Sequence, residues 1–410
     1  MRILIVSNLF PPEVIGGYEM IAHEMAERLA KAGHEILVAT SPLVNHSHEL
    51  PNLPFRIARS LRYDSLSPSG IARDEGGRFG PSLNMANIFA LRGAIAEFAP
   101  DQVFLFNLEG LGAPGIVCFL HQAGFCPAIY LGDSVFHNAC RCAREYDLFR
   151  TLFHFGPALQ ALRPIAVSEQ LLEEIAKALG APLPASLQVP GWVPSDLPPL
   201  APCPATSPLR LVFSSRIAPH KGTEILLEAA KHLLACGDRD FLIDVYGAGA
   251  VPLFLQRVHA DGLAGHIRYR GMVPREEMLA RLSQYEALLF PSWTREPLGL
   301  VPFEAAAQGC VPIITAQIGA AEWLTSADCL KIERTPLGLA GAVQSLMAMP
   351  PDERLAWRRR IGAHVRHDFG ADAWMARIER VLADLPPRRK TIDIQKIQNA
   401  MLAIARVGEL

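Results

Sequence analysis

Short apolar runs that alternate with helical patterns constrain the fold of this chain more than any other feature. The first run covers residues 2–8, Arg-Ile-Leu-Ile-Val-Ser-Asn, and the pattern over 18–32 is helical because apolar residues recur every four positions. The next apolar run covers 36–40. Strands that are apolar along their whole length are typical of parallel sheets covered on both faces. The chain therefore opens with a βαβ unit, which predicts an α/β fold.

The same pattern begins again in the second half, after a segment rich in proline. A strand is predicted over 209–215 and a helix over 223–236, although neither half is a detectable copy of the other. Proline lacks a backbone N–H group and fixes φ, so the segment between the halves is predicted to be an irregular connection. The predicted organisation is an N-terminal domain over 1–190, a Pro-rich linker over 191–208, a C-terminal domain over 209–370 and C-terminal helices over 371–410.

The bulk composition narrows the classes of function. The 410 residues suffice for two or three domains, and 39 basic against 41 acidic residues give a net charge of −2, so no basic field favours nucleic acid. No uninterrupted apolar run reaches the roughly 18 residues of a membrane span. Eight cysteines at unrelated spacings predict free thiols. The apolar start is interrupted by Asn8 and Pro11-Pro12, so a strand is predicted instead of a signal peptide, and a cytoplasmic location follows.

A basic cluster over 386–390 precedes a helical pattern at the C-terminus. The apolar positions of that pattern recur at three and four residues and share one face: Ile394, Ile397, Met401 and Ile404. Such a helix either packs on its own domain or, beside a basic cluster, makes weak peripheral contact with an anionic membrane.

The stretch from Glu296 to Glu304 carries two carboxylates around a predicted helix start. The run 287–290 is predicted to be a buried strand, Glu296 lies in the loop after it, and Glu304 lies about one turn into a helix that begins near Gly299. Free N–H groups at a helix start suit a phosphate, and ionised carboxylates suit hydroxyl donors. Diols on both sides of a diphosphate describe a nucleotide sugar.

Two cations lie just past the carboxyl end of the predicted strand 209–215. Arg216 and Lys221, in Arg-Ile-Ala-Pro-His-Lys-Gly, can meet a diphosphate there. Two cations are what a leaving nucleoside diphosphate needs when no metal neutralises it. Thr223 is predicted to cap the helix that follows.

Three motifs together resemble glycosyltransferase family 4, the retaining GT-B enzymes. They are Glu-Pro-x-Gly-Leu-x3-Glu over 296–304, Arg-x4-Lys-Gly over 216–222 and Phe-Pro-Pro-Glu-Val-Ile-Gly-Gly over 10–17. The resemblance implies two Rossmann-like α/β/α domains that face each other across a cleft, with the C-terminal helices crossing back to the N-terminal domain. It also implies a hexosyltransferase-type enzyme that moves a sugar from a nucleotide-diphosphate sugar to an acceptor hydroxyl, with retention of configuration and without a metal or other cofactor.

The resemblance also assigns roles to individual residues. The C-terminal domain is expected to bind the nucleotide sugar, and the N-terminal domain a glycan, lipid-linked sugar or small-molecule acceptor. Glu304 would accept from the ribose hydroxyls, Glu296 from hydroxyls of the sugar, and Val273 would meet the base through its backbone. The predicted donor-binding residues are Gly16, Gly17, Arg216, Lys221, Val273, Glu296, Leu298, Gly299, Leu300 and Glu304. The predicted catalytic residues are Arg216, Lys221, Glu296 and Asp133.

The loop after the predicted strand 128–131 departs from the family pattern. Many members carry a histidine directly after this strand, near the transferred sugar, whereas Asp133 stands at the matching position here. An ionised carboxylate accepts from a sugar hydroxyl but is not a cationic donor near neutral pH. His137, four residues later, is the acceptor-side candidate for supplying an imidazole, and the alternative is an ordinary surface-loop histidine.

Two patterns could bind a metal, and neither has the expected context. Residues 238–240, Asp-Arg-Asp, have the D-x-D form of GT-A glycosyltransferases but precede a predicted strand instead of following one. The pattern His-x2-Cys-x-Cys over 137–142 lacks a fourth ligand at the spacings of zinc sites. The sequence therefore predicts no metal site.

Other functions remain as alternatives. The run 247–249, Gly-Ala-Gly, lacks the third glycine of the dinucleotide fingerprint because position 252 is proline, which disfavours an oxidoreductase. A nucleotide-sugar epimerase on the same fold and a non-catalytic nucleotide-sugar-binding subunit stay open. The sequence does not determine the sugar, the nucleotide, the acceptor, the oligomeric state or the role of Trp192.

Overall fold

The computed structural model describes residues 1–14, 16–42, 50, 52–63, 83–133, 136, 155–190, 192–194, 197–204 and 207–388. The chain divides into two compact units, one formed by residues 1–189 with the closing segment from 375, the other by residues 190–374. His137, Cys140, Cys142 and the tail from 389 lie outside the described residues.

The first unit contains a parallel sheet. Its strands are β1 (Arg2–Val6), β2 (Glu35–Ala39), β3 (Arg56–Ala58), β4 (Gln102–Leu105), β5 (Ala128–Leu131), β6 (Arg163–Ala166) and β7 (Leu187–Gln188). Its helices are α1 (Gly17–Lys31), α2 (Met85–Phe98), α3 (Ala113–Gln122), α4 (Phe155–Gln160) and α5 (Glu169–Leu179). The strand order is β3-β2-β1-β4-β5-β6-β7, so β1 lies between β2 and β4. The central strands are fully buried, which confirms the predicted apolar strands.

The second unit repeats this architecture with another parallel sheet. Its strands are β8 (Leu209–Ser214), β9 (Phe241–Tyr246), β10 (Ile267–Gly271), β11 (Ala287–Phe290), β12 (Val311–Thr315) and β13 (Leu330–Ile332). Its helices are α6 (Thr223–Ala235), α7 (Val251–Ala260), α8 (Arg275–Leu282), α9 (Leu300–Ala307), α10 (Ala320–Trp323), α11 (Pro336–Ala348) and α12 (Pro351–Asp368). The strand order is β10-β9-β8-β11-β12-β13.

A closing helix, α13 (Ala371–Asp384), contributes its residues from 375 onwards to the first unit. Just beyond this helix, the carbonyls of Leu385 and Pro386 accept from the side-chain amide of Gln102 at 3.3 and 3.4 Å. This segment is therefore fixed at the amino end of β4.

Buried arginines hold the second unit together behind its sheet. The fully buried guanidinium of Arg358 donates to the carbonyls of Gly309, Tyr285 and Cys203 at 2.6 to 2.7 Å. Because Cys203 belongs to the Pro-rich segment, that segment packs on this unit.

Among the described residues, no helix combines the length and apolarity needed to cross a bilayer. The cytoplasmic location stays a prediction.

Candidate functional site

The carboxyl ends of β8 and β11 lie side by side in the second sheet. β8 pairs with β11 on one side and β9 on the other, so the strand order reverses there. Ligands of open parallel α/β sheets bind outside the carboxyl ends of the strands at such a switch point. The loops that leave these two strands, 215–222 and 291–299, carry Arg216, Lys221 and Glu296. The sheet order thus brings together residues that are distant in sequence.

The loop that carries Arg216 packs against two glycines. Gly247 and Gly249 have φ values of +138° and +133°, and a Cβ atom on them would clash with the carbonyl oxygens of Ser215 and Ile217 respectively. The Ile217 N–H group also donates to the carbonyl between the two glycines, at 2.8 Å. The Gly-Ala-Gly run therefore has a structural purpose that the failed dinucleotide fingerprint did not indicate: it lets the Arg216 loop approach β9.

A tight turn presents Lys221 to the neighbouring loop. Residues Pro219–Lys221 form one 3₁₀ turn, which ends at Gly222 with φ +86°. A Cβ atom at Gly222 would clash with the carbonyl of Pro291, so only glycine allows this approach. The prediction that Thr223 caps α6 is wrong, because the left-handed Gly222 occupies the cap position and Thr223 is the first helical residue.

Lys221 and Glu296 form a direct ion pair. The Lys221 ammonium contacts Oε2 of Glu296, and the Ser292 hydroxyl donates to the same oxygen at 2.6 Å. Both charged side chains are largely buried, with 19% and 13% of their surface exposed. The predicted diphosphate cation and the predicted sugar acid are therefore partners of each other in this structure.

Arg334, which the sequence analysis did not single out, joins the two loops. Its Nε donates to the carbonyl of Ser292 at 3.1 Å and its Nη2 to that of Pro219 at 3.0 Å. The Thr315 hydroxyl donates to the same Ser292 carbonyl at 2.7 Å. No short motif marks Arg334, because it follows β13 and reaches the site only through the sheet order.

The pKa of His220 is shifted by the charges of both predicted cations, which therefore lie near the same imidazole ring. Burial lowers the pKa of His220, and the charges of Lys221 and Arg216 lower it further. Glu296 opposes this effect, and Arg334 adds to it. The imidazole ring, 5.6 Å from the ring of Trp293, is therefore neutral near pH 7. Arg216, Lys221 and Arg334 therefore act on His220 together with Glu296.

The loop between Glu296 and α9 is fixed by backbone hydrogen bonds. Gly319 N–H donates to the carbonyl of Glu296 at 3.0 Å, and Ala320 N–H donates to that of Leu298 at 2.9 Å. Gly299 has φ +79°, which explains the glycine there. The helix begins at the next residue, as predicted.

The N-terminus of α9 is open, and Glu304 lies one turn inside. Among the described residues no side chain caps the helix, and no acid lies in its first turn, so the N–H groups of Leu300 and its neighbours suit an anion. Glu304 is only 7% exposed, and its Oε1 accepts from Nε and Nη2 of Arg275 at 2.8 and 2.5 Å. Arg275 opens α8 just after Val273, so the ion pair brings the predicted base-binding loop to α9.

In the first unit, the predicted glycines open α1. The Gly16 N–H group donates to the Glu19 carboxylate at 2.8 Å, and the space around a Cβ atom at Gly16 is empty to 4 Å. Gly17 is the first residue of the helix. The backbone of Gly16 is extended, so this position does not use the left-handed conformation that glycine permits.

Asp133 follows β5 and is anchored by a tyrosine. The hydroxyl of Tyr18 accepts the N–H groups of Gly132 and Asp133, the latter at 2.8 Å. The pKa of the Asp133 carboxyl is raised to about 7, mainly by burial. Three nearby carboxylates contribute the rest: Glu109, Glu19 and Glu174. With its pKa raised to about 7, the Asp133 carboxyl is partly protonated near neutral pH, and the protonated form can donate a hydrogen bond, which an ionised carboxylate cannot.

Both carboxylates of the Asp-Arg-Asp triplet accept hydrogen bonds from other side chains of the protein. Asp238 accepts from the Gln344 amide at 2.8 Å, and Asp240 accepts from the Ser207 hydroxyl at 2.8 Å. The triplet precedes β9 and so lies at the amino end of the sheet, opposite to Lys221. A search of the described ranges finds no group of three His, Cys, Asp or Glu residues able to hold a metal ion.

Comparison with known sequences identifies the second unit. Residues 204–366 match the family model "Glycosyl transferases group 1". Most of the chain is similar to the glycogen synthase of Mycobacterium tuberculosis, with 26% identity over 85% of this chain and 87% of that protein. A GDP-mannose-dependent mannosyltransferase of Corynebacterium glutamicum that acts on a monoacylated phosphatidylinositol monomannoside is 26% identical over 44% of this chain, and the match spans about half (48%) of that relative.

Comparison with solved structures identifies the fold. Sucrose-phosphate synthase from Thermosynechococcus elongatus superposes with a TM-score of 0.70 over 93% of this chain and 98% of that one, at 18% identity. Anabaena HepE in complex with UDP gives 0.66 over 94% of this chain and 100% of that one, at 15% identity. The protein therefore has the two-domain parallel α/β fold of the GT-B glycosyltransferases, and its residues 204–366 are similar to the glycosyl transferases group 1 family.

Proposed function

We propose that this protein is a family 4 glycosyltransferase that moves a hexosyl group from a nucleotide-diphosphate sugar to an acceptor hydroxyl, with retention of configuration and without a metal. One observation carries the proposal. The carboxyl ends of β8 and β11 bring Arg216, Lys221 and Glu296 together in one field, as the charge effects on His220 indicate. No observation favours an epimerase or a non-catalytic subunit.

The arrangement suits a leaving diphosphate. Arg216 and Lys221 supply two positive charges at this end of the sheet, and cations beside the leaving group stabilise the developing phosphate charge. The open first turn of α9 adds N–H donors, including that of Leu300. Together these groups take the place that a metal ion fills in other transferases.

Binding of the donor would exchange partners within the site. In the free protein the Lys221 ammonium neutralises Glu296. A nucleotide sugar supplies an anion to Lys221 and hydroxyl donors to Glu296, so each member of the ion pair gains a new partner from the same ligand. Leu298 and Gly299 then lie between the groups that hold the sugar and those that hold the phosphates.

The chemical step needs no dedicated protein base. The bond from the anomeric carbon to the phosphate oxygen breaks, and the acceptor oxygen forms its bond on the same face. This attack on the same face gives retention, and the acceptor proton passes to the departing phosphate oxygen. We place the acceptor in the first unit, near Gly16, Gly17 and Asp133. The Asp133 carboxyl, with its pKa raised to about 7, could donate to a sugar oxygen as well as accept from a hydroxyl.

The identity of the donor is the first thing to test. UDP-glucose and GDP-mannose are suitable probes, because a structural neighbour was solved with UDP-glucose and a sequence relative depends on GDP-mannose. All five tryptophans lie within 190–374, so their emission during thermal unfolding reports on the donor unit. A donor that binds the folded state should raise the transition temperature.

Lys221→Met tests the catalytic assignment against a matched control. The variant should lower kcat/KM for release of the nucleoside diphosphate by about 10²- to 10³-fold, the effect of removing one oxyanion donor. Lys231→Met removes an exposed lysine that pairs with Glu228 on α6 and should leave turnover unchanged. Activity should also persist in excess EDTA. Turnover near that of the wild type in Lys221→Met, or complete loss in EDTA, would contradict the proposal.

A further inference from the structure

One oxygen of Glu304 is fully engaged and the other is not. Both hydrogen bonds from Arg275 end on Oε1, at 2.8 and 2.5 Å. Within the part of the chain that the structure describes, no donor reaches Oε2. Two charge-assisted bonds to a single oxygen fix the plane of the carboxylate, and they leave the lone pairs of Oε2 with a defined direction.

Arg275 is itself held by an aromatic ring from the Pro-rich segment. Its Cζ lies 5.5 Å from the centre of the Trp192 ring, and Trp192 is only 2% exposed. The neighbouring Val193 N–H donates to the carbonyl of Phe369 at 2.9 Å, which anchors the segment. The Trp192 Nε1 atom is buried without a hydrogen-bond partner among the described residues. The indole ring therefore contributes through its packing and its cation–π contact with Arg275, and not through its N–H group.

Trp192 therefore contacts Arg275, and Arg275 in turn holds the Oε1 atom of Glu304. A guanidinium that binds a carboxylate through two N–H groups and stacks on an aromatic ring has little freedom to swing away. Removing it would leave Glu304 buried without its counter-charge and free to rotate, which costs both affinity and direction.

We infer that Arg275, supported by Trp192, is the positioning residue that presents Glu304 Oε2 to the ribose hydroxyls of the donor. The inference rests on the proposed function, because it takes the ribose as the partner of Glu304. It assigns discrimination between ribonucleotides and deoxyribonucleotides to the Trp192–Arg275–Glu304 series. The ligand class is a nucleoside diphosphate with both ribose hydroxyls intact.

The test compares ribose with deoxyribose ligands. Dissociation constants of UDP and GDP, and of their 2′-deoxy and 3′-deoxy analogues, are measured by calorimetry on the full chain. The wild type should bind one deoxy analogue of the preferred nucleotide about 10- to 100-fold more weakly, the range for a hydrogen bond to a charged group. Arg275→Met should reduce this ratio to below about 3-fold by weakening the ribonucleotide alone.

Matched variants separate positioning from general structural damage. Arg281→Met removes another arginine of α8, one that contacts Glu277 and Tyr246, and should keep the wild-type ratio. Glu304→Gln should lower the ratio as far as Arg275→Met does. The double variant with both changes should lose nothing further, because the two residues act in series.

The support from Trp192 is tested in the same way. Trp192→Phe keeps an aromatic face and should retain most of the ratio, whereas Trp192→Leu should lose most of it. Equal wild-type ratios in both variants would remove Trp192 from the inference.

The outcomes also separate this inference from the proposed function. A wild type that does not distinguish ribose from deoxyribose would refute the role of Glu304 and the inference with it, while the Lys221 test of the function stands independently. A wild type that discriminates and an Arg275→Met variant that discriminates equally would overturn the inference alone. Tighter ribonucleotide binding by Arg275→Met would also overturn it, because Arg275 would then be blocking the site.

Discussion

Replacement of Asp133 by asparagine should stabilise the protein, and only above acidic pH. Asp133 lies at the carboxyl end of β5, where burial and three carboxylates surround it: Glu109, Glu19 and Glu174. Tyr18 holds the backbone of this position, and the substitution keeps that contact because it involves the Asp133 N–H group. Asparagine has nearly the shape of a protonated aspartate but never carries its charge. The variant therefore isolates the cost of ionising this carboxyl.

The sign follows from proton binding in the two states. The pKa is raised from an ordinary value of 3.8 to about 7 in the folded protein. Between these values the folded state binds more protons at Asp133 than the unfolded state does, so stability falls as pH rises through this window. Each pH unit of the window costs about 1.4 kcal/mol. With some solvent access and relaxation, the total is about 2 to 4 kcal/mol.

The expected result is a difference curve. The free energy of unfolding of Asp133→Asn should equal that of the wild type near pH 4, exceed it progressively up to pH 7 and stay about 2 to 4 kcal/mol higher above that. Taking the difference at each pH cancels the titration of the groups that do not interact with Asp133. Asp384→Asn, an exposed position on α13, should give a flat difference curve.

The assay must report on the unit that contains Asp133. Tryptophan emission does not, because all five tryptophans lie in residues 190–374. Urea unfolding followed by far-UV circular dichroism, combined with hydrogen exchange of peptides from 113–133, reports on the first unit. A flat Asp133→Asn difference from pH 4 to 8, or a variant less stable at pH 8, would refute the reasoning.

Three further substitutions test the packing of the second unit. Gly222→Ala should destabilise it by several kcal/mol, since a Cβ would meet the Pro291 carbonyl at a left-handed φ; the tryptophan-reported urea midpoint measures this. Arg354→Met should cost about 3 to 5 kcal/mol by the same measure, because it removes the Arg354–Glu286 ion pair, in which both side chains are buried. Arg334→Met should weaken donor binding and change the urea midpoint much less. Arg334→Lys should not restore donor binding, because a lysine cannot span the carbonyls of Ser292 and Pro219. Calorimetry with the donor measures the affinity of both variants.

The sequence predicted the strands and the sites at their ends for a physical reason. Parallel strands buried on both faces are apolar throughout, so the runs at 2–8 and 287–290 are recognisable without any tertiary information. Residues that follow such strands lie at the carboxyl edge of a sheet, which is where ligands bind. The positions of Lys221 and Glu296 in their loops, and of Glu304 in its helix, follow from this rule.

The partners of those residues could not be predicted, because the sequence of a strand and its loops does not determine the order of the strands in the sheet. Lys221 meets Glu296 only because β8 lies next to β11, and Arg334 reaches both loops from beyond the edge strand β13. The pairing of Arg275 with Glu304 likewise joins two separate loops. The cap at Thr223 was mispredicted for the same reason. The left-handed Gly222 allows close approach of the loop after β11, and that loop is distant in sequence.

The two ion pairs of the second unit differ in a way that matches their proposed roles. Lys221 is a point charge on a flexible stem, so it can leave Glu296 for a phosphate at a small cost in geometry. Arg275 binds Glu304 through two N–H groups and stacks on Trp192, so it stays when a ligand arrives. On the proposed function, the first pair would exchange best with a ligand that offers an anion to the lysine and hydroxyls to the acid, since either alone would leave one partially buried charge without its counter-charge. A phosphate alone or a sugar alone meets half of this requirement, whereas a nucleotide sugar meets all of it. On the proposed function, we therefore expect selectivity for the intact donor to arise from the ion pair that the donor would replace.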